Sequence, residues 1–173
     1  MHKYSSNKKY FLNQEIIINK KIPIKSRQWW NKTLELIKKL GLKYFPKDLK
    51  TNTKLPLTLL ITTNNEIQNL NKKYRNKNKP TDVLSFYLEK DRRKSLNYLG
   101  DIVISIEKAA KQANAKRISI ENELTELLIH GYLHLNGYDH IKPQEAKKMF
   151  KLQNLFLRKI LEKIDYSKNK NFK

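Results

Sequence analysis

The chain has 173 residues and no cysteine, which predicts one domain with a hydrophobic core and excludes thiolate metal sites and cysteine nucleophiles. Its 37 basic and 16 acidic residues give a formal net charge of +21, which favours a polyanionic partner such as a nucleic acid. The lysine-rich composition of an AT-rich genome would produce a similar charge, so both interpretations stay open. No apolar stretch has the length of a signal peptide or a membrane span, and we therefore expect a cytoplasmic protein without a membrane partner.

The periodicity of the apolar residues predicts four strands and about five helices. In chain order, these are a strand at 14–19, a helix at 26–40, a strand at 57–62, a helix at 64–74, strands at 83–88 and 99–106, and helices at 107–115, 119–135 and 143–164. The charged segment 89–97 is expected to form a hairpin tip or a surface loop. Strands that come early and helices that come late predict an α+β domain over residues 1–173, with frayed tails at 1–10 and 166–173.

Capping residues set the predicted helix ends. Ser26 and Ser119 are expected to cap the helices that they precede. Asn64 or Asn65 is expected to cap the helix before a basic loop, and Gly41 is expected to end the first helix. The apolar residues that recur at helical spacing are expected to face the core. They are Trp30, Leu34, Ile37, Leu40, Ile67, Leu70, Tyr74, Leu124, Leu127, Leu128, Leu135, Phe150, Leu157 and Leu161.

Three of the four histidines lie within residues 130–140. His130 and His134 are four residues apart, so a helix presents them on one face. Gly137 can adopt a positive φ, which would reverse the chain and bring His140 towards the first two. Three imidazoles with no fourth protein ligand nearby are typical of a catalytic zinc site rather than a structural one, although paired histidines are also common at solvated surfaces.

The spacing of these histidines matches the peptidase pattern H-E-x-x-H-x-x-G-x-x-H, but Gly131 occupies the position of its glutamate. Glycine cannot act as a general base, which argues against peptide hydrolysis by that route. Glu126 lies four residues before His130 and is expected either to hydrogen-bond a metal ligand or to be a solvated surface residue. Cleavage of a phosphodiester depends less on such a glutamate, because cations can stabilise charge on phosphoryl oxygens and RNA carries its own 2′-hydroxyl nucleophile. The pattern therefore favours RNA over peptide as the substrate.

A second informative stretch covers residues 70–86, where five cations fall between Lys72 and Lys79. Arg75 is the only arginine among them, and its guanidinium can contact a phosphate through two hydrogen bonds. This composition predicts either a phosphate-contact loop or a solvated basic loop.

These two stretches, together with the sequence Leu99-Gly100-Asp101-Ile102, resemble the YbeY family of bacterial endoribonucleases that mature ribosomal RNA. The resemblance implies a single α+β domain with a small mixed sheet, for which the sequence offers four strands. It implies one zinc ion held by His130, His134 and His140. It also implies that Arg75 lies beside the metal, where it would contact a phosphate of the substrate.

The sequence departs from the family pattern at three positions. Asn78 stands where the family usually has aspartate, and Tyr87 stands where a proline commonly follows the sequence Leu-Ser-Phe. Glu126 stands where relatives often have histidine. None of these changes removes an implied zinc ligand.

The resemblance implies single-strand-specific cleavage of RNA, maturation of the 3′ end of the small-subunit RNA, and a role in ribosome quality control. Its partners would be ribosomal RNA and the small ribosomal subunit, and not DNA. Two other functions fit the same residues. One is a ribosome-associated RNA-binding factor whose zinc is structural. The other is a zinc hydrolase that acts on a small molecule or a peptide.

Overall fold

The computed structural model describes residues 15–18, 27–88 and 90–169 of the chain. Its strands are β1 (Glu15–Ile18), β2 (Leu57–Thr62), β3 (Val83–Tyr87) and β4 (Gly100–Ser105). Its α-helices are α1 (Arg27–Tyr44), α2 (Lys47–Lys50), α3 (Asn64–Arg75), α4 (Lys90–Leu96), α5 (Ile106–Lys116), α6 (Ile120–Leu135) and α7 (Pro143–Asn169). A 3-10 helix occupies Thr51–Lys54.

The strands form one mixed sheet in the order β1-β2-β4-β3. β1, β2 and β4 run parallel to one another, with Ile17 opposite Leu60 and Leu59 opposite Ile102. β3 runs antiparallel to β4 at one edge of the sheet and places Ser85 opposite Ile102. The predicted α+β class and the mixed sheet are thereby confirmed.

Two hydrophobic clusters lie on opposite faces of the sheet, because successive residues of a strand point to opposite sides. Ile102 and Ile104 of β4 belong to the larger cluster, which also contains buried residues of α1, α6 and α7. Val103, between them, packs with Ile67 of α3. Helix α6 contacts β3, β4, α5 and α7, so the histidine motif at its end is fixed from several sides. None of the helices in the described ranges combines the length and the apolarity that a bilayer span requires.

Helix α1 does not end at Gly41, as the sequence suggested, but continues to Tyr44. Gly41 is buried within the helix, and a Cβ at this position would lie 3.0 Å from a ring carbon of Phe45 and 3.1 Å from a methyl carbon of Thr53. The glycine therefore permits close packing of the helix on the segment that follows it.

Side-chain hydroxyl groups cap the N-termini of α3 and α6. Thr63 caps α3 in place of the predicted Asn64 or Asn65, and its hydroxyl accepts a hydrogen bond from the amide of Glu66 at 3.4 Å. Ser119 caps α6 as predicted.

Two short helices were not predicted, α2 and α4. The segment 89–97, predicted to be a loop, contains α4, which has an aspartate in its first turn. Helix α7 continues past the predicted end near residue 164 and includes part of the expected tail at 166–173. Ser26 and the expected tail at 1–10 lie outside the described residues.

Candidate metal centre

Helix α6 and the turn after it bring three imidazoles together. His130 and His134 lie on one face of the helix, and Gly137 follows with a φ of +85°, which reverses the chain. His140 then returns to the other two, with ring centroids 5.2 Å from His130 and 5.1 Å from His134. One nitrogen from each of the three rings lies within 4.8 Å of the other two. The convergence that the spacing predicted is present.

The donor set fits a single metal ion. Nε2 of His130 and Nε2 of His134 are 3.1 Å apart, close to the roughly 3.3 Å that a tetrahedral zinc site with bonds of about 2.0 Å would place between two ligands. Within the described ranges, the group consists of imidazoles alone, with no carboxylate or thiolate in it. Three imidazole nitrogens suit zinc better than magnesium, which prefers oxygen ligands.

The surroundings keep the two helical histidines neutral at physiological pH. Burial and the neighbouring His130 and His140 lower the pKa of His134 to about 4. Burial also lowers the pKa of His130, against the opposing effect of its hydrogen bond to Gln153. Neutral imidazole is the form that binds a metal, so both rings are prepared for coordination.

Gln153 of α7 determines which nitrogen of His130 is available. Its Oε1 lies 3.0 Å from Nδ1 of His130, and its Nε2 donates to Oε1 of Glu126 at 3.1 Å. A carboxylate can only accept hydrogen bonds, so the amide must turn its NH₂ group to Glu126 and its oxygen to His130. Nδ1 of His130 then carries the proton, and the lone pair of Nε2 faces the other histidines.

Lys116 of α5 completes this chain of contacts. Its Nζ lies 2.8 Å from Oε2 of Glu126 and 2.8 Å from Oε2 of the buried Glu123. Burial alone would lower the pKa of Lys116, but the hydrogen bonds with these two carboxylates outweigh burial and raise it. Glu126 was expected either to hydrogen-bond a metal ligand or to be a solvated surface residue. It is instead ion-paired with Lys116 and linked to His130 through Gln153.

The glycine in place of the peptidase glutamate has a packing reason. A Cβ on Gly131 would lie 2.8 Å from Cγ2 of Ile102 and 3.1 Å from Oγ of Ser85. The hydroxyl of Ser85 also donates to the carbonyl oxygen of Gly131 at 3.4 Å. This position faces the sheet at close range, so the helix cannot carry a glutamate there.

The three histidines lie on the wall of a cleft of about 1080 Å³. The cleft is also lined by residues of α3, β3, α4, α5 and α7 and of the loops between them, including Arg75, Lys77, Asp82, Tyr87, Arg93, Gln112, Phe150 and Gln153. Arg75, the predicted phosphate contact, is therefore placed in the same cleft as the histidines.

Arg75 is the last residue of α3, and Asn76 ends the helix in the left-handed conformation with a φ of 56°. One guanidinium nitrogen, Nη2, donates to the carbonyl oxygen of Ser85 at 3.3 Å. Among the described residues, neither Arg75 nor Lys77 forms an ion pair. The guanidinium is held against β3, and among the described residues no ion pair occupies its remaining N–H groups.

A second depression of about 400 Å³ adjoins the cleft, sharing Arg75, Lys77 and Gln112 with it and adding Lys79 and Lys108. The loop between α3 and β3 is fixed here because the buried side chain of Asn71 donates to the carbonyl oxygen of Lys79 at 2.7 Å.

Asp82 is an acidic group shared by the two depressions. Burial works to raise the pKa of Asp82, but hydrogen bonds from Gln112, the amide of Val83 and Thr81 outweigh it and lower the pKa. The carboxylate therefore stays ionised, with its oxygens hydrogen-bonded to neutral donors. Among the described residues it forms no ion pair with the lysines of the second depression.

Phe150 was expected to face the core, and the structure contradicts this. Its side chain is 43% exposed, and its ring stacks on that of His140 at a centroid distance of 5.8 Å and an interplanar angle of 17°. The buried positions of this part of α7 are instead Met149, Gln153 and Phe156. The buried face of the helix therefore includes Met149 rather than Phe150, and the Phe150 ring lines the cleft.

Gln153 was not found from the sequence. The available signal was a polar residue at helical spacing between the apolar positions 149, 156 and 160, on the face that becomes buried. A buried amide requires hydrogen-bond partners, which makes such a position a candidate for contact with a site.

Three converging imidazoles in an open cleft are the arrangement expected of a metal-dependent enzyme, here built on an α+β fold. The family model described as Endoribonuclease YbeY matches residues 18–161. The endoribonuclease YbeY of Pelagibacter ubique is 48% identical over 125 residues, which cover 71% of this chain and 82% of that protein. The corresponding protein of Limosilactobacillus reuteri is 41% identical over 139 residues, with coverage of 73% and 87%. The chain belongs to the endoribonuclease YbeY family.

A solved structure is also similar. The solution structure of TM1509 from Thermotoga maritima is 26% identical to this chain and superposes with a TM-score of 0.55. The match covers 88% of this chain and 93% of that one. The fold similarity thus extends well beyond the histidine motif.

Proposed function

We propose that this chain is a zinc-dependent endoribonuclease, formed by one domain over residues 1–173, that cleaves single-stranded RNA. The observation that carries the proposal is the placement of three converging imidazoles and Arg75 in one cleft, in a chain of an endoribonuclease family. Its role would be ribosomal RNA processing in the cytoplasm, including maturation of the small-subunit 3′ end and ribosome quality control.

His130, His134 and His140 would hold the ion. Their rings offer neutral nitrogen donors at a spacing suited to one metal, and Gln153 orients the first of them. When bound, zinc would supply a Lewis acid and a water of lowered pKa. Three protein ligands leave a coordination position for water or substrate.

Arg75 would bind the phosphate and stabilise the negative charge that develops on its oxygens during cleavage. Its guanidinium is anchored at Ser85 by one hydrogen bond, so its orientation towards the cleft is set before the substrate arrives. Lys77, Lys79 and Lys108 would extend the phosphate contacts from the cleft into the second depression.

The carboxylates that line the cleft are engaged by other groups. Glu123 and Glu126 pair with Lys116, and Asp82 accepts several hydrogen bonds. Oδ1 of Asp139 accepts a hydrogen bond from the backbone amide of His140 at 2.7 Å. A carboxylate base of the peptidase type is therefore not part of the proposed reaction. In that reaction the RNA 2′-hydroxyl or a water attacks phosphorus, the P–O bond to the leaving ribose oxygen breaks, and the leaving oxygen gains a proton as the nucleophile loses one.

The proposal is tested by cleavage of a single-stranded RNA with purified protein, combined with elemental analysis of bound metal. His130→Ala is expected to lose both metal and cleavage. Arg75→Ala is expected to keep the metal and to cleave roughly 100- to 1000-fold more slowly, as for loss of one donor to a developing charge. Arg158→Ala is a matched control, because Arg158 is exposed on α7 and lines neither depression.

Three results would contradict the proposal. Equal activity of the wild type, His130→Ala and Arg75→Ala would indicate a contaminating nuclease. Unfolding of the protein when a chelator removes the metal would favour the RNA-binding factor with a structural zinc. Binding of substrate that does not weaken as salt rises would favour a hydrolase of an uncharged substrate, since RNA affinity falls steeply with salt.

A further inference from the structure

Three large apolar side chains are exposed around the cleft that contains the histidines. Tyr87 is 45% exposed, Ile141 is 82% exposed and Phe150 is 43% exposed, and all three line this cleft. They make up half of the large hydrophobic residues that are exposed in the described part of the chain. Exposed apolar side chains gathered at one cleft indicate a binding surface, whereas isolated ones need no explanation. We call these three residues the apolar rim.

The three residues of the apolar rim come from different parts of the fold. Tyr87 is the last residue of the edge strand β3, opposite Gly100. Ile141 lies between the turn that carries His140 and the start of α7. Phe150 belongs to α7, whose buried side is filled by other residues, and its ring stacks on His140. The rim thus consists of two aromatic rings, on a strand and a helix, and one aliphatic side chain in a loop.

The cleft is lined by cations as well as by carboxylates, and the second depression that adjoins it carries a net positive charge. Arg75 and Lys77 line the cleft without an ion pair among the described residues, and the second depression beyond them adds Lys79 and Lys108. A surface with both cations and exposed aromatic rings suits a single nucleic-acid strand, because the cations can bind its phosphates and the rings can stack on its bases. A purely apolar protein partner would leave these cations unpaired.

We propose that the apolar rim is a base-binding surface, on which bases of single-stranded RNA stack against Tyr87 and Phe150 and contact Ile141. The inference rests on the proposed endoribonuclease function. The apolar rim would make the enzyme prefer RNA whose bases are unpaired. The phosphates of the same strand face Arg75 and Lys77. In a duplex the bases are stacked on each other and face inward, so they cannot occupy the rim.

The test compares two 2′-O-methyl oligonucleotides of roughly ten nucleotides, one with all its bases and one that is abasic at its central positions. Both carry the same phosphates, so a difference in their affinities reports on base contacts. Wild-type protein is expected to bind the strand with bases at least about tenfold more tightly, by fluorescence anisotropy. Tyr87→Ser and Phe150→Ser are each expected to lose most of this preference. Tyr87→Phe and Phe150→Tyr, which keep an aromatic ring, are expected to retain it.

Two controls separate base contacts from other effects. Leu42→Ser removes an equally exposed apolar side chain from α1, which lines neither depression, and is expected to leave the preference unchanged. Bound metal is measured in every variant, because Phe150 contacts His140. If Phe150→Ser also lowers the metal content, Tyr87→Ser and Ile141→Ser decide the result.

The outcomes distinguish this inference from the function on which it rests. A wild type that cleaves RNA but binds both oligonucleotides equally overturns the base-binding surface and leaves the proposed endoribonuclease intact. A wild type that neither binds nor cleaves RNA overturns both. Rim variants that keep the full preference for bases also overturn the inference, and would assign the rim to a protein partner.

Discussion

Nδ1 of His130 lies 3.0 Å from Oε1 of Gln153, so a hydrogen bond joins the histidine motif of α6 to the middle of α7. The same amide donates to Glu126, which is ion-paired with Lys116. These linked hydrogen bonds permit only one tautomer of His130, with Nδ1 protonated and the lone pair of Nε2 free. A metal ligand is thereby prepared by a residue outside the motif.

Replacement of Gln153 by leucine is expected to weaken metal binding. Without the acceptor, the His130 ring can adopt the other tautomer and orientation, and loss of such an outer partner typically reduces metal affinity by roughly 10- to 100-fold. The measurement is competition for zinc with a chromophoric chelator, independent of RNA cleavage. Gln144→Leu is the matched control, since Gln144 is exposed on the same helix. Equal zinc affinity of Gln153→Leu and the wild type would show that Gln153 does not orient the ligand.

Replacement of Lys79 and Lys108 by glutamine is expected to lower the salt dependence of RNA binding. If both lysines contact phosphates, the slope of log affinity against log salt should decrease in magnitude by about 1.4 for a single strand. Binding of an oligonucleotide of roughly ten nucleotides is measured over a salt series. The control is replacement of Lys32 and Lys39, two exposed lysines of α1 outside both depressions, which removes the same charge. Identical slopes for the two double variants would contradict a specific phosphate path.

Replacement of Gly131 by alanine is expected to destabilise the fold. The added Cβ would lie 2.8 Å from Cγ2 of Ile102, so the buried Ile102 side chain or α6 must shift, and overpacking of this kind costs about 1 to 3 kcal/mol. The free energy of unfolding is measured by urea titration. Glu121→Ala, at the start of the same helix, is expected to change it by less than about 0.5 kcal/mol. A Gly131→Ala variant as stable as the wild type would mean that the helix tolerates a side chain at this position.

A buried carboxyl on β4 is expected to make stability depend on pH. Asp101 is 5% exposed, and its Oδ1 accepts a hydrogen bond from the hydroxyl of Tyr98 at 2.6 Å. Burial raises the pKa of Asp101 from 3.8 to about 7, although the hydrogen bond from Tyr98 opposes the shift. The folded state therefore keeps this proton to a higher pH than the unfolded state does. Its stabilising contribution is fully present below about pH 4 and is lost as the pH rises towards 7.

Asp101→Asn removes this titration, because an amide does not ionise in that range. The loss of stability between about pH 4 and pH 8 is expected to be smaller in the variant than in the wild type, by on the order of a few kcal/mol at most. Urea titration at a series of pH values measures the difference. Parallel pH profiles for the two proteins would show that Asp101 is already ionised in the folded state at low pH.

Much of the fold followed from local patterns. The strand Leu57–Thr62 has the predicted bounds, because its β-branched and apolar residues fill a fully buried strand. Helix α6 was predicted from its cap at Ser119 and its apolar stripe, and it begins and ends as expected. Gly41 and Phe150 were misinterpreted, since their neighbours in space, Thr53 and His140, come from other elements.

The convergence of His130, His134 and His140 could be predicted from local sequence alone. Helical spacing and one glycine that takes a positive φ are local properties, so eleven consecutive residues are enough to fix that geometry. The tertiary structure alone decided which residues surround the histidines. Gln153 and Arg75 reach the cleft because α7 packs in the hydrophobic cluster on one face of the sheet and α3 in the cluster on the other face. Such contacts depend on how side chains from distant segments fill space together, which no local spacing encodes.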